Sequence, residues 1–149
     1  MNDSDARKNS LLLRIRISLA ILILGFVIFM LGIKPGLFGL DRSPVIGFVQ
    51  IAVLEVGLGM ICLGGFTTLN TLWNGIEKTI AADFGLRLVA TGFVISVASG
   101  MADVFGFGNQ PLPNIPYFGP WQAAGVILGE IVIALGFLLM IPLPRKKTN

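Results

Sequence analysis

Four long stretches of the chain carry almost no charge, and they are separated by short segments where charge, proline and glycine collect. The first uncharged run is Ile17 to Ile33, closed by Lys34-Pro35. The second opens at Ser43-Pro44 and runs to about Leu72 with one interruption, Glu55. The third extends from about Leu86 to Phe107, with Arg87 at its start and Asp103 toward its end. The fourth lies between Pro120 and Ile141, contains Glu130, and is stopped by Pro142 and Pro144. A helix needs about 20 mostly apolar residues to cross a bilayer, because its backbone groups must all be satisfied internally there. The pattern predicts an all-α polytopic membrane protein: four transmembrane helices over about 12–33, 44–72, 86–107 and 120–141, in a compact bundle that forms a single membrane domain, 1–149.

The punctuation supports these boundaries independently. Pro44 and Pro120 occupy first-turn positions, where a missing N–H costs nothing. Four prolines in the segment from Gly106 to Pro120, Pro120 included, exclude a continuous helix there, so 108–119 reads as a loop. Tyr117 and Trp121 beside that loop, and Trp73 at the far end of the second span, are expected to anchor at headgroup level, where a ring is apolar on one side and wet on the other. The first span has a basic start but no small-residue cleavage site after it, and it is expected to be a retained signal-anchor helix.

Charge then orients the spans. With four crossings, Arg7, Lys8, Arg14, Arg16, Lys78, Arg87, Arg145, Lys146 and Lys147 fall on one side, against Lys34 and Arg42 on the other. The positive-inside rule places both termini in the cytoplasm, as tails 1–11 and 142–149 of a multi-pass protein of the cell membrane. The formal net charge of +3 therefore marks topology, and no basic stripe interleaved with aromatics suggests nucleic acid.

The chain also matches itself. Gln50 to Gly64 aligns without gaps on Gln122 to Gly136, with six of fifteen positions identical, including Gln50/Gln122, Gly57/Gly129 and Gly64/Gly136. Leu13-Arg14-Ile15 resembles Leu86-Arg87-Leu88 at nearly the same shift, so the chain reads as one helical hairpin used twice. Small residues follow helix faces: Gly25 and Gly32; Gly92, Ser96 and Gly100; Gly125, Gly129 and Gly136. In lipid no hydrophobic force drives helices together, and such faces permit the close backbone approach that replaces it. They predict bundle contacts, closest between the third and fourth helices.

Composition narrows the chemistry. Of 149 residues, 54% are hydrophobic and 13% charged, and there is no His and a single Cys. His-based metal sites, triads and proton shuttles are therefore excluded for this chain. No phosphate-binding loop, nucleophile elbow or zinc-protease signature occurs, so no enzyme activity, metal or cofactor is expected. What remains is a set of membrane acids. Glu55 and Glu130 lie eleven and ten residues after Pro44 and Pro120, which places both near the bilayer midplane, where an ionised carboxylate is costly and calls for a partner or a function. Asp103 is expected at the outer end of the third span, reaching the interface or capping the exit.

Two functions compete on this sequence. One is a non-catalytic structural or accessory subunit of a membrane assembly, for example an energy-converting complex, or a homo-oligomer, with the lipid bilayer and other membrane subunits or itself as partners. The other is a small proton- or cation-coupled transporter or channel using Glu55 and Glu130.

Overall fold

A computed structural model describes residues 3–39, 47–73, 76–108 and 118–142. Its elements are α1 (Asp3–Ile33), a short 3-10 turn (Pro35–Phe38), α2 (Phe48–Leu72), α3 (Ile80–Gly100) and α4 (Pro120–Met140), and no strand occurs among the described residues. All four α-helices are long and apolar enough to cross a membrane.

Local chemistry sets the ends. Gly47, Thr79 and Gly119 precede α2, α3 and α4 in extended conformation. The Thr79 hydroxyl accepts from the Ala82 N–H at 3.2 Å, satisfying one of the first-turn donors that a helix leaves open. Gln122 returns its Oε1 to the Gly119 N–H at 2.7 Å, the reciprocal half of a capping box. This cap at Thr79 makes α3 start six residues before the expected Leu86, so Ile80 and Ala81 are its first turn. It ends at Gly100, and Met101 to Gly106 form tight turns closed by Gly106 at φ +86°. Pro44, Arg42, Tyr117 and the basic 145–147 cluster lie outside the described residues.

Close packing is concentrated in two pairs, α1 with α2 and α3 with α4. Closeness is thus not peculiar to the second pair, as the glycine stripes alone suggested. In the first pair, a Cβ added to Gly25 would lie 2.6 Å from Met60 Cβ, and one on Gly64 2.6 Å from Leu22 N. In the second, a Cβ on Gly92 would lie 2.6 Å from the Gly129 carbonyl oxygen, and one on Gly129 2.5 Å from that of Gly92. Gly85 and Gly136 meet in the same way, and Gly125 meets Ser99. Most of these are approaches to backbone, which cannot give way to an added side chain, whereas Gly125 makes room for the Ser99 side chain.

The contacts also correct the repeat. Gly57 packs on Gly25 and Phe29 as Gly129 packs on Gly92 and Ser96, and Gly64 packs on Leu22 as Gly136 packs on Val89. The second helices are related by 72 residues, but the first helices are related by 67, not 73. At that shift Gly25-Phe26-Val27-Ile28 coincides with Gly92-Phe93-Val94-Ile95, four identities in a row. The five-residue discrepancy is the difference between the connections, fourteen residues after α1 and nineteen after α3.

The two hairpins meet along α2, which touches both α3 and α4, while among the described residues the α1 backbone approaches only α2 and the 3-10 turn. A cluster of Leu58, Cys62, Val89, Ile133 and Met140 fills this seam.

Candidate functional site

Polar side chains inside the helices are the natural place to seek function, and several hydroxyls among them are satisfied locally. Ser18, Thr67, Thr68 and Thr71 donate to carbonyls three or four residues earlier in their own helices. In hydrocarbon an unpaired hydroxyl costs several kcal/mol, and a backbone acceptor one turn away is the nearest remedy.

Glu55 is different. It is 5% exposed, on the α2 face that meets α3, and its Oε1 accepts from the Ser96 hydroxyl at 3.0 Å. Ser96 is wholly buried. Gly100, one turn further along α3, leaves room for the carboxyl, since a Cβ there would lie 2.8 Å from Oε1. The second oxygen, Oε2, is buried without a hydrogen-bond partner. Ser96 and Gly100 were legible as small packing residues. Their service to a carboxyl across the seam was not, because it depends on the rotation of α2 against α3.

Glu130 sits half-buried on α4, next to Gly129, with no hydrogen bond or ion pair among the described residues. Glu55 is seven residues, about 10 Å, from the first residue of α2, whereas Glu130 is ten residues, about 15 Å, from that of α4. The expectation of a matched midplane pair counted from Pro44, while α2 begins at Phe48. Among the described residues, cavities of about 150, 350 and 350 Å3 border the helices, and neither acid lines these three. One of them is an apolar groove between α2 and α3, running from Gly59 and Phe93 to Phe66 and Leu86.

Asp103 lies in the turn after α3, not inside a helix, and it is buried. Its carboxylate is in contact range of Gly108, in the turns where Gly108 N–H donates to the Ala102 carbonyl at 3.0 Å. No group of three or more metal-ligating side chains occurs among the described residues.

The remaining sequence candidates separate. Gln50 and Gln122 hold the same place, the third residue of α2 and of α4, but work differently. Gln50 Nε2 donates to the Gly32 carbonyl at 2.8 Å and ties α2 to the end of α1, while Gln122 caps its own helix. Trp121 is 83% exposed at the start of α4. Trp73 is not an exposed anchor: it is 6% exposed, and its indole Nε1–H donates to the Met140 carbonyl at 2.8 Å, latching the end of α2 to the end of α4. Helix termini leave carbonyls unpaired, and a buried indole is a suitable donor for one of them. Position alone could not separate a belt tryptophan from a latch.

No known protein family, curated protein or solved structure matches the chain.

Proposed function

We propose that the protein is a non-catalytic structural subunit of the cell membrane, with both termini in the cytoplasm, that assembles through its helix faces with other membrane subunits or with itself. The observation that carries this reading is the use made of Glu55. Its carboxyl is engaged by Ser96 at the joint between the two hairpins, where it fixes how α2 lies on α3. A membrane carboxyl in such a place acts as a register lock, a recognised use of buried polar groups between helices. The open build of the molecule supports assembly, since among the described helices α1 is held along α2 alone. Blue-native electrophoresis of a gently solubilised tagged chain tests the reading. A species well above the monomer mass is expected, and migration as a lone monomer would overturn it. Cysteine labelling checks the orientation: Arg7→Cys should react only from the cytoplasmic side and Trp121→Cys only from the other.

A second reading, a small proton- or cation-coupled carrier, is favoured by two observations, the buried Oε2 of Glu55 without a hydrogen-bond partner and a Glu130 that has no ion pair among the described residues. Ion flux into liposomes decides it. If Glu55→Gln and Glu130→Gln both fold and neither alters flux, the acids are structural and this reading fails.

A further inference from the structure

The repeat makes the seam between the hairpins informative about the outside of the molecule. Within the chain, α2 receives α3: Glu55 takes the Ser96 hydroxyl, Gly59 receives the Phe93 ring, and Phe66 and Leu86 line the groove beyond. The packing equivalences map this contact onto a second one. Shifting α2 by 72 residues turns Glu55, Gly59 and Phe66 into Ile127, Ile131 and Leu138 of α4. Shifting α3 back by 67 turns Leu86, Ala90 and Phe93 into Leu19, Ile23 and Phe26 of α1. Were the hairpins related by a closed two-fold axis, α4 would meet α1 of the same chain along these residues. The α4 backbone makes no such approach, and all six side chains are between 45% and 63% exposed.

We propose that these faces form a self-association surface, α4 of one copy seating on α1 of the next as α2 seats on α3. The proposal rests on the assembly reading above and names the partner as a second copy of this chain. The seam already built inside the molecule is the reason for that choice. The α1 side of the surface repeats the α3 side closely: Phe26 stands for Phe93 within four consecutive identities, and Leu19 stands for Leu86. The two hairpins run in the same direction, so a neighbour docked by this rule has the same orientation in the bilayer, as insertion of identical chains requires. The contact is head-to-tail and continues from copy to copy, closing into a ring if the rotation permits. The α4 side is changed in a consistent direction. Ile127 replaces the polar lock, and Ile131 is a ridge where Gly59 is a notch, so the intermolecular contact is wholly apolar and shallower than the internal one.

The test uses full-length chains in their membrane. In a Cys62→Ala background, two differently tagged copies are co-expressed, one carrying Phe26→Cys and the other Ile131→Cys, and the membranes are oxidised with copper phenanthroline. A mixed-tag disulfide dimer is expected, several-fold above that of a Phe26→Cys and Val94→Cys control pair, because Val94 belongs to neither face. Leu19→Cys with Leu138→Cys is a second pair that should behave alike. Equal linking in the control would reduce the contact to collisions in lipid and overturn the proposal. So would a Phe26–Ile131 link found only inside a doubly substituted chain. A large native assembly with no such cross-link would sink this proposal and leave the assembly reading standing, whereas a monomer would remove both.

Discussion

Substituting alanine for helix glycines should give effects of opposite sign at positions that look alike in the sequence. At Gly92 the added methyl would lie 2.6 Å from the Gly129 carbonyl oxygen and 2.8 Å from Ile133 N. Both neighbours are backbone, so relief requires α3 and α4 to separate along their length. Overpacking of this kind costs about 1–3 kcal/mol. Alanine returns about 0.5–1 kcal/mol through the lower conformational entropy of the unfolded chain. The net expectation for Gly92→Ala is a loss of up to about 2.5 kcal/mol, centred on about 1 kcal/mol. Gly59, also in mid-helix, would meet only the edge of the Phe93 ring, at 3.2 and 3.4 Å, and that ring borders an open groove into which it can shift. Gly59→Ala should therefore be neutral or stabilising, by up to about 1 kcal/mol. The repeat adds a further constraint, because Gly25 stands to Gly57 and Ile61 as Gly92 stands to Gly129 and Ile133, so Gly25→Ala should cost about as much as Gly92→Ala. Equilibrium unfolding in mixed micelles under increasing denaturing detergent measures the three variants against the parent. Equal losses at Gly59 and Gly92, or the reverse order, would refute the reasoning. Divergence of Gly25 from Gly92 would refute the equivalence of the two hairpins.

Other substitutions test single contacts. A double-mutant cycle over Glu55→Ala and Ser96→Ala should return a coupling of about 0.6 kcal/mol, rising to about 1.7 if the bond is well shielded, and a coupling near zero would show that the 3.0 Å contact does not lock the seam. With only two tryptophans in the chain, Trp121→Phe isolates Trp73 and Trp73→Phe isolates Trp121. Brominated lipid and aqueous acrylamide should together quench Trp121 strongly and Trp73 weakly, and equal quenching would contradict the buried latch. Thr79→Ala removes the cap on the Ala82 N–H and should lower stability by about 1 kcal/mol, with faster amide exchange confined to the first turn of α3.

By itself the sequence determined that the chain is helical and that four of its segments are long and apolar enough to cross a membrane. The reason is that crossing hydrocarbon is a requirement on composition over about 20 consecutive residues, and composition is local. It also marked the residues that matter for packing, since Gly57, Gly64, Gly129 and Gly136 stand out as small positions in a repeated register. Pairing was beyond its reach. Whether Gly57 meets Gly25 or another glycine depends on helix rotation and offset, and both are set by side chains distant in sequence. The same limit hid the 67-residue relation of the first helices, because an alignment without gaps cannot cross two connections of unequal length. Only the tertiary structure decided that Glu55 faces Ser96, that it lies nearer the start of its helix than Glu130 does, and that Trp73 points inward to a carbonyl of α4. Each of these is a fact about the angle at which one helix lies on another, and that angle is the sum of many close contacts that no single stretch of the chain contains.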